Sequence, residues 1–336
     1  MSVTRLADAI VPEVFAGYMA KDTLNTMAFM NTGVLRQDGE LSRQLAGGGI
    51  SFQVPFWKDL DEDESDVASD DPDSHSTPGK LGSGLDIARR QYRTKSWAVS
   101  KLTAELAGSD PMARISSRTG EYWGKEMDAN AIATVRGVIA DNIANDAGDM
   151  VTDISIDTVA ALTAANYFNA ESMMDAAQTM GDEKQALKLV VMHSVVQTRL
   201  AKLDLIDFRP DSEGKVWTQY YQGYRVHVSD RTPVIAGTNK TMYHTYLFGD
   251  NAIGWGESAP ANPVAVDTDE SAGDGSGVET LYTRRQFAIH PYGVKWTENT
   301  VGGKFPTNAE LRLAGNWDRV YTQRKQIPIA VLITNG

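Results

Sequence analysis

Three sets of residues in this chain could carry chemistry: a run of closely spaced acids, the bases that follow it, and five histidines. Residues 59–74 hold nine carboxylates, Asp59, Asp61, Glu62, Asp63, Glu64, Asp66, Asp70, Asp71 and Asp73, and no base. Asp59, Asp61 and Asp63 stand at alternate positions, as the first three oxygen ligands of an EF-hand calcium loop do. The pattern then breaks. Glu64 occupies the place of the turn glycine and Asp70 that of the bidentate glutamate. A solvated face, or charge pairing between subunits, fits the run better than an ordered metal.

The histidines are His75, His193, His227, His244 and His290. None pairs with another at metal-helix spacing and H-E-x-x-H is absent, so no zinc site is expected. His193 before Ser194 reads as a strand end meeting a helix cap, His227 and His244 fall inside strands, and His290 before Pro291 reads as part of a turn. Gly273-Asp274-Gly275-Ser276-Gly277 lacks the strand and helix that a nucleophile elbow needs. No phosphate-binding or dinucleotide fingerprint occurs. The lack of any cysteine removes disulfides, thiolate metal sites and a cysteine nucleophile together. Nothing supports an enzyme, and no cofactor is expected.

Charge is unevenly placed. The net charge of −12 argues against tight, sequence-independent nucleic-acid binding over the whole surface. Residues 80–101 carry six bases, Lys80, Arg89, Arg90, Arg93, Lys95 and Lys101, against Asp86 alone. An acidic tip followed by a basic limb marks Asp59, Asp61, Glu62, Asp63, Glu64, Lys80, Arg89, Arg90 and Arg93 as candidate contacts between subunits.

Elements must hold these residues. The apolar fraction of 42% and charged fraction of 23% are those of a globular protein, and 336 residues imply two or more packed regions. No segment approaches ~18 uninterrupted apolar residues, so no membrane helix is expected. The N-terminus, MSVTRLADAIVPEVFAGYMAKD, lacks the apolar core of a signal peptide, which fits cytosolic synthesis. Residues 110–146 form the longest helix-compatible run, with Pro111 at the first helical position after Ser109 or Asp110 as cap. Ile115, Tyr122, Trp123, Met127, Ile132, Val135, Ile139 and Ile143 recur at helical spacing. Such a helix, roughly 50 Å long at ~1.5 Å per residue, outspans one core and reads as a spine bearing separate regions. Gly120, Gly124 and Gly137 read as possible bending points.

Before the spine, residues 1–50 read as an extended arm. Residues 50–58 alternate as an edge strand containing Pro55, and 85–100 read as a second limb around a charged, turn-rich tip. Beyond it, Asp157 is expected to cap a helix through Ala165. A second helix runs Ser172–Met180, a buried strand 187–194 and an amphipathic helix 195–206. Strands are expected around a turn at Gln222-Gly223, at 241–249, after 252 and at 279–298, with 260–278 as linker. The apolar run 327–334 reads as a buried final strand beside the spine. Helices and strands in this order imply an α+β fold.

The order of parts, together with VVMHSVVQTRL (190–200), VHVSDRTPV (226–234), TYLFGDNAIGWG (245–256) and RRQFAIHPYGVKW (284–296), resembles the HK97-fold major capsid proteins of tailed phages. The resemblance implies an N-terminal arm (1–50), an extended loop (51–98), a peripheral domain with the spine helix (99–153), an axial domain (154–260) and a return to the peripheral domain (261–336). It implies pentamers and hexamers closing an icosahedral shell around double-stranded DNA that is not read by sequence. It also implies a virion protein made and assembled in the bacterial host cytoplasm, with portal and decoration proteins as possible partners and no membrane. Family members often carry a long helical scaffolding segment at the N-terminus. Here the arm begins almost at Met1, so a separate scaffold protein, or prior removal of the segment, is expected. Some relatives crosslink a loop lysine to a neighbour's asparagine; Lys58, Lys80, Asn299, Asn308 and Asn316 are available, but nothing marks a pair. Two other readings stay open: an encapsulin-type shell for cargo enzymes, and a soluble hydrolase with no recognisable site.

Overall fold

The computed structural model describes residues 33–58, 60, 64–68, 70, 71, 73, 75–102, 111–210 and 217–336. The arm up to residue 32, Asp59, Asp61, Glu62, Asp63 and the helix cap at Ser109 or Asp110 lie outside the described residues.

In chain order the first elements are β1 (Leu35–Gln37), α1 (Gly39–Ala46), β2 (Ser51–Trp57), β3 (Ser83–Arg89), β4 (Gln91–Ser100) and the spine helix α2 (Pro111–Asn145). Then come β5 (Val151–Asp153), α3 (Ala170–Gln178), β6 (Leu187–Met192), α4 (Ser194–Lys202), β7 (Asp207–Pro210), β8 (Trp217–Tyr221), β9 (Tyr224–Val228) and β10 (Val234–Ala236). The last are β11 (Thr241–Gly249), β12 (Ile253–Ser258), β13 (Val264–Asp269), β14 (Val278–Pro291), β15 (Val294–Trp296), α5 (Asn308–Leu311), β16 (Trp317–Arg319) and β17 (Ile329–Thr334).

Two sheets hold the molecule. β14 is the hub of a five-stranded sheet: β13 and β12 pair along one edge, β4 along the other, and β1 lies parallel to β12. The eight-stranded sheet runs β5-β17-β11-β6-β9-β8-β7, with β10 on β11. The spine helix is continuous over 35 residues. Its second half is wedged between the sheets. Met127, Ala131, Val135, Val138 and Ile139 share one core with Trp255, Phe287 and Ile289 of the first sheet and Val191, Phe248, Ile329 and Val331 of the second. Helix propensity weakened by three glycines is therefore offset by burial on two sides. The other face of the eight-stranded sheet packs on α3 and α4 through Met173, Ala176, Val196 and Leu200.

β17 follows the two-residue period of a strand. Ile329, Val331 and Ile333 face the spine, while Ala330 and Leu332 face the α3–α4 side. The buried final strand beside the spine is thus as expected, yet it completes the eight-stranded sheet between β5 and β11. β12 moves the other way, joining β14 in the five-stranded sheet. Strands therefore cross the boundary expected at 260 in both directions.

Four local expectations are corrected. Residues 264–269 are a strand and not linker: Val264 and Val266 pack beside Trp123, and only 270–277 form the turn. Asp157 caps no helix; its carboxylate accepts the backbone N–H groups of Thr238, Asn239 and Lys240 at 2.8 Å each, and two short 3-10 turns follow it. His290 sits inside β14, not in a turn. The second limb is two strands, since β3 pairs with β2 whereas β4 joins β14. The helix expected over 195–206 ends at Lys202, the strand expected over 187–194 ends at Met192, and the expected arm holds the helix α1. The turn at Gln222-Gly223 is as expected, both residues having positive φ (48° and 88°) as a two-residue hairpin demands.

Candidate functional site

The loop rises from a two-stranded sheet. β2 and β3 pair from Ser51↔Arg89 to Trp57↔Ser83, and the backbone N–H of Lys58 donates to Gly82 at 2.9 Å. Pro55 is tolerated because this ribbon has two edges and no third strand. Beyond it the described residues up to Gly82 adopt no regular structure and lie mostly exposed. Trp57 is 72% exposed, Leu60 70% and Val67 89%. A ribbon of two strands is marginal in water on its own, so the base must hold it.

The base is a buried polar lattice. Asp86 of β3 alternates inward, and its Oδ1 shares a hydrogen bond with His290 Nε2 of β14 at 2.6 Å, the two side chains 5% and 3% exposed. Tyr292 donates to Asp38 Oδ2 at 2.9 Å, tying β14 to the cap of α1. Burial, with Asp38 beside it, holds the Tyr292 phenol well above its usual range. Aromatic contacts close the other side, Phe56 on Tyr321 with centroids 4.9 Å apart and Tyr92 stacked on Phe305 at 5.8 Å.

The three candidate arginines belong to this lattice. Arg89 is 5% exposed; it pairs with Glu298 at 2.6 Å and donates to Ser51 Oγ at 2.9 Å and the Lys304 carbonyl at 2.7 Å. Arg90 donates to the Leu45 carbonyl at 2.8 Å and lies over the Phe52 ring. Arg93 donates to Asn308 Oδ1 at 2.8 Å, next to the buried Asn130–Gln91 hydrogen bond. Burial pulls the Arg90 and Arg93 guanidiniums below their usual range, and Glu126 and Glu310 partly offset it at Arg93. All three were expected to face another subunit; the structure gives each partners in its own chain. Glu64 and Lys80 are exposed in the loop and remain free of such a lattice. Asp59, Asp61, Glu62 and Asp63 lie outside the described residues.

Sequence reasoning passed over Asp86 and His290, the pair that anchors the loop. The signal was there: Asp86 is the only acid among the bases of 80–101, and it shares an alternation phase with buried Ala88. A histidine on an aspartate is part of a nucleophile-activating set. Here Nε2 is spent on the carboxylate and the pair is sealed from solvent, so it orders a strand and meets no substrate. Among the described residues no three His, Cys, Asp or Glu side chains are grouped to hold a metal, and no helix is long and apolar enough to cross a membrane.

With the exposed loop and its buried polar base described, the comparisons with known proteins give the family and the fold. The family model described as Gp13-like, major capsid protein 13-like, matches residues 51–328. The major capsid protein of Bacillus phage SPP1 is 37% identical over 329 residues, covering 97% of this chain and 96% of that one. Among solved structures, the capsid of Ralstonia phage GP4 aligns with a TM-score of 0.56 at 10% identity, over 90% of this chain and 87% of that chain. The cyanophage Pam1 capsid asymmetric unit aligns at 0.54 and 10% identity, over 90% and 88%. At such identities the likeness is one of fold, and it is the mixed helix-and-sheet fold of phage capsid proteins.

Proposed function

Since the chain belongs to the Gp13-like family of bacteriophage major capsid proteins, we propose that its copies close as pentamers and hexamers into an icosahedral head around double-stranded DNA. It is a structural protein of the virion shell and not an enzyme. The observation that carries the finer reading is the loop: apolar side chains held in water on a ribbon whose base is fixed by the buried Asp86–His290 pair. Such a loop loses little entropy on docking because its root is already ordered, and many weak contacts sum in a closed shell.

The partners follow from the same reading. The loop carboxylates, with Lys80, meet neighbouring copies. A separate scaffold protein guides curvature, and portal and decoration proteins complete the head in the host cytoplasm. The net charge of −12 suits a wall that must let DNA slide past it and not bind it by sequence. Electron microscopy of the purified protein, alone and with its scaffold, tests this. Rings of five and six or closed shells are expected; a strictly monomeric protein under every condition overturns it.

A further inference from the structure

Arg89, Arg90 and Arg93 each donate to a partner in their own chain; a second, exposed group of cations lies elsewhere. They gather around one notch on the outer side of the spine. Trp97 of β4 and Ile115 and Tyr122 of α2 line it, Arg114 and Arg118 stand at its rim, and it encloses about 200 Å³. Trp97 and Tyr122 meet edge to face at 5.3 Å between centroids, which keeps an aromatic wall in place. Lys95 Nζ lies 6.0 Å from the Tyr122 ring. Arg114, Arg118, Lys95 and Lys125 are all exposed. Glu121 is shared by Arg118 and Lys125, and Glu126 acts on the Tyr122 phenol from one turn on, so four cations stand against two carboxylates.

The loop is the converse. Residues 64–68 put Val67, 89% exposed, next to Asp66 and near Glu64, both exposed. One surface is an apolar hollow with a basic rim; the other is an apolar knob with acidic flanks. Among the described residues, none of the loop lines the notch within the chain. Asp66 instead accepts a hydrogen bond from the backbone of Thr77, which stiffens the tip and presents Val67 outward.

We propose that the notch formed by Trp97, Ile115 and Tyr122 receives Val67 from a second copy of the chain, with Glu64 and Asp66 against Arg114, Arg118 and Lys95. This inference rests on the shell reading above and names the receptor for the loop. The contact is heterologous: loop to notch, then loop to notch again, so it closes a ring when the rotation between copies allows. Electrostatic attraction selects the partner and the apolar knob fixes its seat.

The absence of cysteine makes a clean test possible. Val67→Cys with Ile115→Cys in one chain is assembled, oxidised and run on a denaturing gel without reductant. A ladder of linked chains is expected, absent from either single variant and collapsed by reductant. Shells that yield only monomers overturn the inference and leave the shell reading intact; a link formed inside one chain also overturns it. Failure of the unsubstituted protein to assemble strikes the shell reading itself. A second set guards against misfolding of the cysteine variant. Glu64→Arg with Asp66→Arg, and Arg114→Glu with Arg118→Glu, each lower shell yield and make what remains more salt-sensitive; combining all four restores it. No restoration, with each protein folded by circular dichroism, overturns the pairing and points to nucleic acid or scaffold as the occupant of the notch.

Discussion

His290 Nε2 and Asp86 Oδ1 lie 2.6 Å apart with both side chains buried, joining residues 204 positions apart in the chain. The bond fastens the root of the loop to the central strand β14 of the five-stranded sheet. Removing one member of a buried, hydrogen-bonded pair strands the other and costs about 3–5 kcal/mol. Asp86→Ala is therefore expected to shift the denaturant midpoint strongly, and His290→Ala comparably. A loss under ~1 kcal/mol for Asp86→Ala, the size of an ordinary surface change, would show that the pair is not the anchor.

Gly137 sets helix against segment. A Cβ there would collide with the Leu311 carbonyl oxygen and with the Trp317 indole, whose Nε1 donates to that same carbonyl at 2.8 Å. Alanine favours a helix over glycine by about 1 kcal/mol, but overpacking against backbone costs about 1–3 kcal/mol or more. Gly137→Ala is expected to destabilise, measured by thermal unfolding. An increase in stability would mean that propensity decides and the close approach does not. This glycine is explained by the close approach of the Leu311–Trp317 segment.

His244 supplies a pH dependence. It is 6% exposed with neither ring nitrogen hydrogen-bonded, and burial, helped by Arg136 and opposed by Asp153, lowers its pKa from 6.5 to about 4. Between those values the unfolded chain holds a proton that the folded chain does not, so stability falls as pH drops from 6.5 towards about 4. The full effect is roughly 3 kcal/mol at ~1.4 kcal/mol per pH unit. Asp141 acts oppositely, burial raising its carboxyl to about 6, so the curve of the native chain alone mixes the two. The difference between native protein and His244→Phe isolates the histidine: the native protein loses ground to the variant between pH 7 and pH 4.5. A difference that does not change with pH refutes the assignment.

Deleting residues 59–80 and closing the ends with a short Gly-Ser turn removes no buried apolar side chain among the described residues. The variant is expected to keep the native circular dichroism spectrum and nearly its melting temperature, since loop length costs only ~0.6 kcal/mol per doubling. It is expected not to form shells. Normal shells from this variant would show that the loop does not join subunits.

What could be read in the chain was whatever is decided nearby. Pro111 and the spacing from Ile115 to Ile139 specify α2 by period and propensity, and Gln222-Gly223 specifies a hairpin because positive φ is a local demand. The junction of β6 and α4 was read one residue late, with His193 as strand end; His193 is itself the cap, its Nδ1 accepting the Val195 N–H at 3.2 Å. The family signal also came from sequence, through the joint order of motifs between 190 and 296.

Tertiary structure decided the rest. Polar composition around 260–278 hid β13, whose Val264 and Val266 gain their reason from the cluster of Met112, Trp123 and Leu281 that they cover. Asp157 offered a helix cap, but three backbone N–H groups some eighty residues away outcompete a short helix. The basic limb shows best why. From sequence Arg89, Arg90 and Arg93 and the rim residues Arg114 and Arg118 are alike, cations with donors to spend. Which of them meet a carbonyl of their own fold and which are left facing water depends on packing between segments far apart in the chain. A guanidinium's chemistry is local, but the burial that fixes its partner is not.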